Sequence, residues 1–362
     1  VRSAVVPWVV ARAVVLAALG AARVLVDQGH LSGAAAARVH AGLLGWDAGW
    51  YEAVARVGYG GAGHQSLRFF PLVPLLARAL MVLPGVSAGV AVVVVSNVSA
   101  LAGAATLAAL ARCETGDRML GRRAAWLVCV APPAFTLVMG YAEATLLALA
   151  AGTLLALRTR RWWWAAGLGA LAAGTRPVGV FLAAAAVVEV LRRPPEGERP
   201  RLPARTAAVA GPLAGCGAFL VFVWARYGDA LAPLRVQEEG GLRGRFSDPF
   251  TTLAHDANLL VHGRHLGTAV HLPWVLVAVA LLVVCFRRWP AGYGAFAAAV
   301  LAAAVTAHNL DGFERYALSA LPLVLAGAGL LASVRVERVV LCLATAGLGL
   351  AALLAFTNVA VP

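Results

Sequence analysis

Apolar residues run through this chain in long blocks, without the one-sided stripe of a soluble amphipathic helix. Each block is long enough to cross, or nearly cross, a hydrocarbon core of about 30 Å. Eleven blocks are predicted as helices, at 8–26, 86–111, 122–138, 141–157, 162–175, 177–191, 206–226, 269–286, 290–307, 316–333 and 338–357. Two breaks, at Gly140 and at Thr175–Arg176, leave almost no loop. A twelfth segment, Phe69–Leu83, carries Pro71, Pro74 and Arg78. These residues suit a bent helix in the interface, or one that re-enters, better than a clean span.

Charge tests that draft. If 69–83 spanned, the basic segments Arg112–Arg123, Arg158–Arg161 and Arg192–Arg205 would all face outward, against the positive-inside rule. With 69–83 in the interface, the N-terminus lies inside and the cytoplasmic segments hold seventeen Arg against six acids. The outward segments then hold eleven Arg and eleven acids, and all eight His. The first block reads as an uncleaved span. The Pro- and Arg-rich stretch 192–205 reads as a cytoplasmic linker lying on anionic lipid.

Composition agrees with a membrane chain: 61% of the 362 residues are hydrophobic, 13% are charged and mean hydropathy is +0.81. The net charge of +13 comes entirely from Arg, placed in short loops. Nucleic acid is therefore not the expected partner; membrane lipid is. The five Cys lie in or beside apolar blocks with no CxxC spacing, which argues against a disulfide framework or a zinc site. The expected fold is all-α, a polytopic helical bundle of about eleven transmembrane helices forming one integral-membrane domain over 1–362. Its long outward loops, about 27–85 and 227–268, are where function is expected.

The first loop carries the most informative segment, Trp46–Tyr59 (WDAGWYEAVARVGY). Residues 48–57 suit a short surface helix with Trp50, Val54 and Val57 on one face and Gly58 at its end. Asp47 is either its N-cap or a catalytic carboxylate, and the aromatics are either an interfacial belt or part of a site. Elsewhere the ionisable groups at membrane borders stand out, because such groups are costly without partners. Arg176 lies between two blocks, Glu143 opens a block beside Tyr141, and Arg315 belongs to the polar segment His308–Tyr316 (HNLDGFERY). That segment also reads as a solvated turn built on Asn309 and Asp311-Gly312.

Trp46-Asp47, Tyr51, Ala55, Gly58-Tyr59, Phe69–Leu72 and Pro74 together resemble the first-loop signature of the PIG-V family. That family holds the GPI mannosyltransferase II enzymes and their bacterial relatives, within the GT-C superfamily. Pro132–Glu143 (PPAFTLVMGYAE) is similar to a family segment ending Tyr-Ser-Glu, with Ala142 in place of the Ser. Arg315–Pro322 is similar to a late Arg-aromatic segment ending in Pro. The resemblance implies a GT-C-type fold and an inverting transfer of a hexose, typically mannose. The donor is a polyprenyl-phosphate sugar and the acceptor an extracytoplasmic glycan, lipid or protein. It implies a multi-pass protein of the bacterial plasma membrane with its active site facing outward.

On that resemblance Asp47 is the expected general base. Arg68, His64, Arg176, Arg315 and Tyr316 are the expected donor phosphate and sugar contacts. Trp46, Trp50, Tyr51, Glu52, Tyr59, Tyr141, Glu143, His308 and Asp311 are expected in support. No resident cofactor is expected, although some GT-C enzymes take a divalent metal. The spacing of His255, His262 and His265 fits no standard metal motif. Glu238-Glu239 beside Gly240-Gly241 reads as a mobile loop. Two other functions fit the same architecture: a transporter or flippase for a lipid-linked glycan, and a non-catalytic glycolipid-binding subunit. The absence of an internal repeat argues against the transporter.

Overall fold

The computed structural model describes residues 2–192, 202–239, 244, 246–262, 271–331 and 333–359. Among these the chain is helical, and its extended pairing is a single isolated bridge, Phe246 to Ala307. The helices are α1 (Arg2–Asp27), α2 (Gly33–Ala41), α3 (Asp47–Ala62), α4 (Leu72–Leu80), α5 (Ala88–Thr115), α6 (Arg118–Val130), α7 (Glu143–Arg158), α8 (Trp162–Ala173) and α9 (Leu182–Leu191). There follow α10 (Leu202–Tyr227), α11 (Ala232–Arg235), α12 (Pro249–Val261), α13 (Leu272–Arg288), α14 (Ala291–Val305), α15 (Phe313–Ser319), α16 (Pro322–Leu330) and α17 (Val334–Phe356).

Among the described residues every apolar block of the sequence falls mainly on helix. Four helices among the described residues, α1, α5, α10 and α17, are long and apolar enough to cross a membrane. Three blocks are composite: two break at a proline, and the third opens with Pro177 and changes from 3-10 to α-helix after Phe181. The block at 122–138 is α6 followed by a 3-10 turn, Pro132–Leu137; that at 177–191 is the turn Pro177–Phe181 followed by α9. The block at 316–333 divides between α15 and α16 before Pro322. Proline lacks the N–H that would continue a helix through these points. The segment 69–83 contains only the nine-residue α4, which rises about 14 Å, half of what a hydrocarbon core requires.

The long elements run alternately between two ends of the bundle, and polar contacts fasten each end. At one end the indole N–H of Trp46 donates to the Ala355 carbonyl at 2.9 Å, tying the first loop to the close of α17. At the other, Glu337 at the start of α17 accepts from Arg122 and Arg123 of α6 at 2.6 and 2.9 Å. There too Arg158 closes α7 by donating to Glu114 of α5 and Glu189 of α9. In between, Arg12 of α1 donates to Asn97 of α5 at 2.8 Å and to the Leu137 carbonyl at 2.9 Å. An Arg within an apolar helix is thereby partnered.

Without water to squeeze out, helices in lipid pack by close approach of small residues. Gly211 and Gly215, one turn apart on α10, meet Ala166 and Ala170 of α8. A Cβ at either glycine would overlap the carbonyl oxygens of those alanines. This contact sets α8 against α10 and holds the Thr175–Pro177 break over the first-loop end of the bundle.

Candidate active site

The site begins with a strained residue. Trp46 has φ 58° and ψ −130°, a backbone region that non-glycine residues rarely occupy. Three contacts hold it there: the bond to Ala355, the Arg38 guanidinium 3.9 Å over its ring, and α3 beginning at the next residue. Backbone strain fixed in this way concentrates at functional positions. Here it turns the chain so that the first helical residue, Asp47, faces inward.

Asp47 does not cap α3. No side-chain cap bond forms at this helix start, and the carboxylate goes elsewhere. It accepts from Arg315 Nη1 at 2.9 Å, across 268 positions of sequence. The same Arg315 nitrogen lies 3.3 Å from Glu143 Oε1, and Arg176 is in ionic contact with Glu143. The result is a chain of alternating charge, Asp47–Arg315–Glu143–Arg176. The Glu143 side chain is 4% exposed and those of Arg176 and Arg315 are each 11% exposed, whereas that of Asp47 is 31% exposed. Burial alone would raise the Asp47 carboxyl; the Arg315 charge and hydrogen bond outweigh it and hold the group below its ordinary value.

α3 differs from its sequence reading in two respects. It kinks at Gly58 (φ 71°) and continues to Ala62. Its buried stripe is Ala48, Tyr51, Val54 and Ala55, while Val57 is half exposed. Tyr51 therefore points inward, and its ring packs edge-on to Phe69 at 5.1 Å. Phe69 also stacks on Trp50 at 5.9 Å, and the Arg68 guanidinium lies 4.7 Å from the Phe69 ring.

These groups surround a cavity of about 650 Å³. Asp47, Glu143, Asp311, Asn309, Arg38, Arg68, Arg176 and Arg315 supply its polar lining. Trp46, Trp50, Tyr51, Phe69, Phe70, Tyr141, Phe181 and Tyr316 supply aromatic walls. Four guanidinium groups thus face three carboxylates. Among the described residues no carboxylate pairs with Arg68. Its Nε is buried without a hydrogen-bond acceptor, and so is Nε of Arg315. Buried guanidinium N–H groups lacking acceptors are expected to recruit an anion with several oxygens.

The cavity brings together eleven residues marked in the sequence: Trp46, Asp47, Trp50, Tyr51, Arg68, Tyr141, Glu143, Arg176, Asp311, Arg315 and Tyr316. It does not include the other four. His64 is exposed at the rim, 3.9 Å from Glu239, where Gln65 also donates to Glu239 at 3.2 Å and links the two long loops. Tyr59 turns away, donating to the Phe69 carbonyl at 2.7 Å and packing on Phe219. Glu52 points toward Gly89 of α5, and His308 is exposed.

Sequence reasoning passed over Arg38, Phe69 and Phe70 as lining residues, and over His271. His271 is 1% exposed, 2.6 Å through Nδ1 from Glu314 and 3.9 Å through Nε2 from Asp311. It steadies the segment that carries Arg315. Its only sequence signal was its position at an outward border. Among the described residues no three His, Cys, Asp or Glu side chains are placed to hold a metal ion. His262 bonds its own helix through the Asn258 carbonyl; His265 and Gly240-Gly241 lie outside the described residues. The chain matches no protein-family profile, no curated protein and no solved structure.

Proposed function

We propose that this chain is an inverting membrane glycosyltransferase of the PIG-V-like, GT-C type. In this reading it moves a hexose, mannose in the first instance, from a polyprenyl-phosphate donor to an acceptor hydroxyl. The observation that carries the reading is the shared cavity: a partly open carboxylate, Asp47, opposite guanidinium groups with unused buried N–H donors. The carboxylate suits the acceptor proton, and the guanidinium groups suit the departing phosphate. Aromatic walls suit a sugar ring and the first isoprene units.

In the proposed step the acceptor oxygen attacks the anomeric carbon from the face opposite the phosphate. Its proton passes to Asp47. The bond between that carbon and the phosphate oxygen breaks, and its electron pair leaves with the polyprenyl phosphate. Arg68 and Arg315 receive the developing charge. Arg315 holds Asp47 low and so keeps the base weak. A phosphate drawing on the same guanidinium relieves that hold, so donor binding strengthens the base before the acceptor reacts.

The direction of the protein in the membrane follows from charge. The end away from Asp47 carries Arg112, Arg118, Arg122, Arg123, Arg158, Arg160, Arg161, Arg287 and Arg288. By the positive-inside rule this is the cytoplasmic end. The proposed topology is then eleven spans in a bacterial plasma membrane, one domain, with the cavity opening outward. The test is direct: purified protein, labelled polyprenyl-phosphate mannose and a lipid-glycan extract, comparing the wild type with Asp47→Asn. Transfer by the wild type alone supports the reading. Binding of donor with no transfer by the wild type to any acceptor pool favours a glycolipid-binding subunit instead.

A further inference from the structure

Arg12 stands on α1 ten residues from Arg2 and fifteen from Asp27, and Asn97 stands on α5 nine residues from Ala88. At about 1.5 Å per residue each is about 14 Å or more from those ends, near the middle of a hydrocarbon core about 30 Å thick. An ionisable group at that depth is costly and calls for a reason. Among the described residues no carboxylate pairs with Arg12, and every oxygen it meets is neutral. Its Nε donates to Asn97 Oδ1 at 2.8 Å, Nη2 to the Leu137 carbonyl at 2.9 Å and Nη1 to the Trp8 carbonyl at 3.3 Å. Asn97 Nδ2 in turn donates to the Val138 carbonyl at 2.9 Å and to the Val93 carbonyl at 2.8 Å. The Asn97 backbone carbonyl accepts from the Trp8 indole at 2.9 Å.

The Leu137 and Val138 carbonyls are the ones a helical break leaves over. After the 3-10 turn Pro132–Leu137 the chain stays out of helix until α7 begins at Glu143. Neither carbonyl receives a backbone N–H among the described residues. Irregular backbone at membrane depth persists only where its polar groups are satisfied inside the protein. Carbonyls at the end of a helical run carry partial negative charge, which a cation complements without any carboxylate. Just past the break, the Gly140 N–H donates to the Leu43 carbonyl of the first loop at 3.0 Å. A Cβ on Gly140 would stand 2.8 Å from Val92 and 3.3 Å from Ala48, so the chain crosses close against α5 and α3. The Tyr141 hydroxyl then accepts from the Asp47 backbone N–H at 3.3 Å, and Glu143 meets Arg315 and Arg176.

We infer that Arg12 and Asn97 are positioning residues of the cavity: by bonding the Leu137 and Val138 carbonyls they hold the helical break that sets Tyr141 against Asp47 and Glu143 between Arg315 and Arg176. Neither residue lines the cavity, and both act through the backbone of the break. With those carbonyls left bare in the bilayer, the segment would close up into helix to satisfy them. The Gly140–Leu43 and Tyr141–Asp47 bonds would then be given up. The kinetic arm of the test below rests on the transferase reading, and the exchange arm does not.

The experiment uses the full chain in lipid nanodiscs and compares the wild type with Arg12→Gln and Asn97→Asp. The aspartate keeps an oxygen for Arg12 and adds a counter-charge, but it has no N–H for the Val138 carbonyl. If Arg12→Gln does not fold, Asn97→Asp carries the test. Hydrogen–deuterium exchange should run roughly tenfold faster in residues 137–147 and 43–51 of each variant, with α17 at the wild-type rate. Transfer from polyprenyl-phosphate mannose should fall in kcat on the order of 100-fold, the effect of a slight misplacement of reacting groups. Polyprenyl-phosphate affinity should stay within a few-fold, because Arg68 is not carried by the break. Unchanged exchange in both segments overturns the proposal, as does faster exchange spread evenly over all helices. A loss of affinity equal to the loss in kcat also overturns it. If the wild type transfers nothing, the transferase reading fails and the exchange arm alone decides.

Discussion

Replacing Arg68 by Gln separates ligand binding from stability at the cavity. Removing one partner of a buried ion pair usually costs a few kcal/mol, because the other charge is stranded. Arg68 strands nothing: no carboxylate pairs with it among the described residues, and its guanidinium rests on the Phe69 and Trp50 rings. The loss to the fold is then a cation–π contact of roughly 0.5–1 kcal/mol. The loss to a bound phosphate is a charge-assisted hydrogen bond, about 1.5–3 kcal/mol, or roughly 10- to 150-fold in Kd. Arg176→Gln should behave in the opposite sense, because it strands part of the charge of Glu143, which is 4% exposed. The assay is titration of each purified variant with polyprenyl phosphate, read by tryptophan fluorescence, beside a thermal melt. Arg68→Gln should melt close to the wild type and bind at least tenfold more weakly, while Arg176→Gln should melt several degrees lower. Wild-type affinity in Arg68→Gln refutes the assignment of Arg68 to the phosphate.

Other outcomes follow from the same geometry. Asp47→Asn should lower kcat by roughly 10²- to 10⁴-fold, the usual contribution of a general base. It should leave polyprenyl-phosphate affinity within a few-fold, and turnover near the wild type would remove Asp47 from the chemistry. For His271, burial alone would lower the imidazole, but pairing with Glu314 and the nearby Asp311 and Asp256 outweighs it and raises the group above its ordinary 6.5. Its protonated form therefore stabilises the fold fully below about pH 6.5, and that contribution fades as pH rises through the raised value. His271→Gln should flatten the fall in melting temperature across this range; identical profiles would show that the pair contributes nothing. Gly215→Val should destabilise strongly or fail to fold, because its side chain meets the Ala170 backbone, which cannot rotate away; a wild-type melt would contradict the close α8–α10 contact.

The helices were legible because the period and length of an apolar block depend on neighbouring residues alone. Ser87 and Asp117 at the starts of α5 and α6, and Gly116 between them, are equally local signals. The composite blocks were less legible: Pro132, Pro177 and Pro322 announce breaks, but the following apolar residues read as continuous span. The buried face of α3 was not legible for a similar reason. Spacing alone allows Trp50–Val54–Val57 or Ala48–Tyr51–Ala55 to face inward, and the choice is made by Phe69 ahead of α4 and by Val73 of α4 and Ala91 of α5, which share one buried cluster with Tyr51.

Partnership was the least legible feature. Asp47, Glu143, Arg176 and Arg315 each drew notice because an ionisable group beside an apolar block needs a reason. Which carboxylate meets which guanidinium is decided by helix directions, and no local pattern encodes it. A Ser, Asp or Asn ahead of a helix is ordinarily a cap, and Asp47 invited that reading. It is released from capping by one backbone angle, the positive φ of Trp46, which depends on Arg38 over the ring and the Ala355 carbonyl at its N–H edge. The first loop and the last helix must therefore meet before the carboxylate is aimed. The charge chain then forms only when α7, the Thr175–Pro177 break and α15 converge on it. The charge chain around Asp47 is a property of the assembled end of the bundle, and weakening the support of Trp46 should turn Asp47 away from Arg315 while leaving every ion pair at the far end intact.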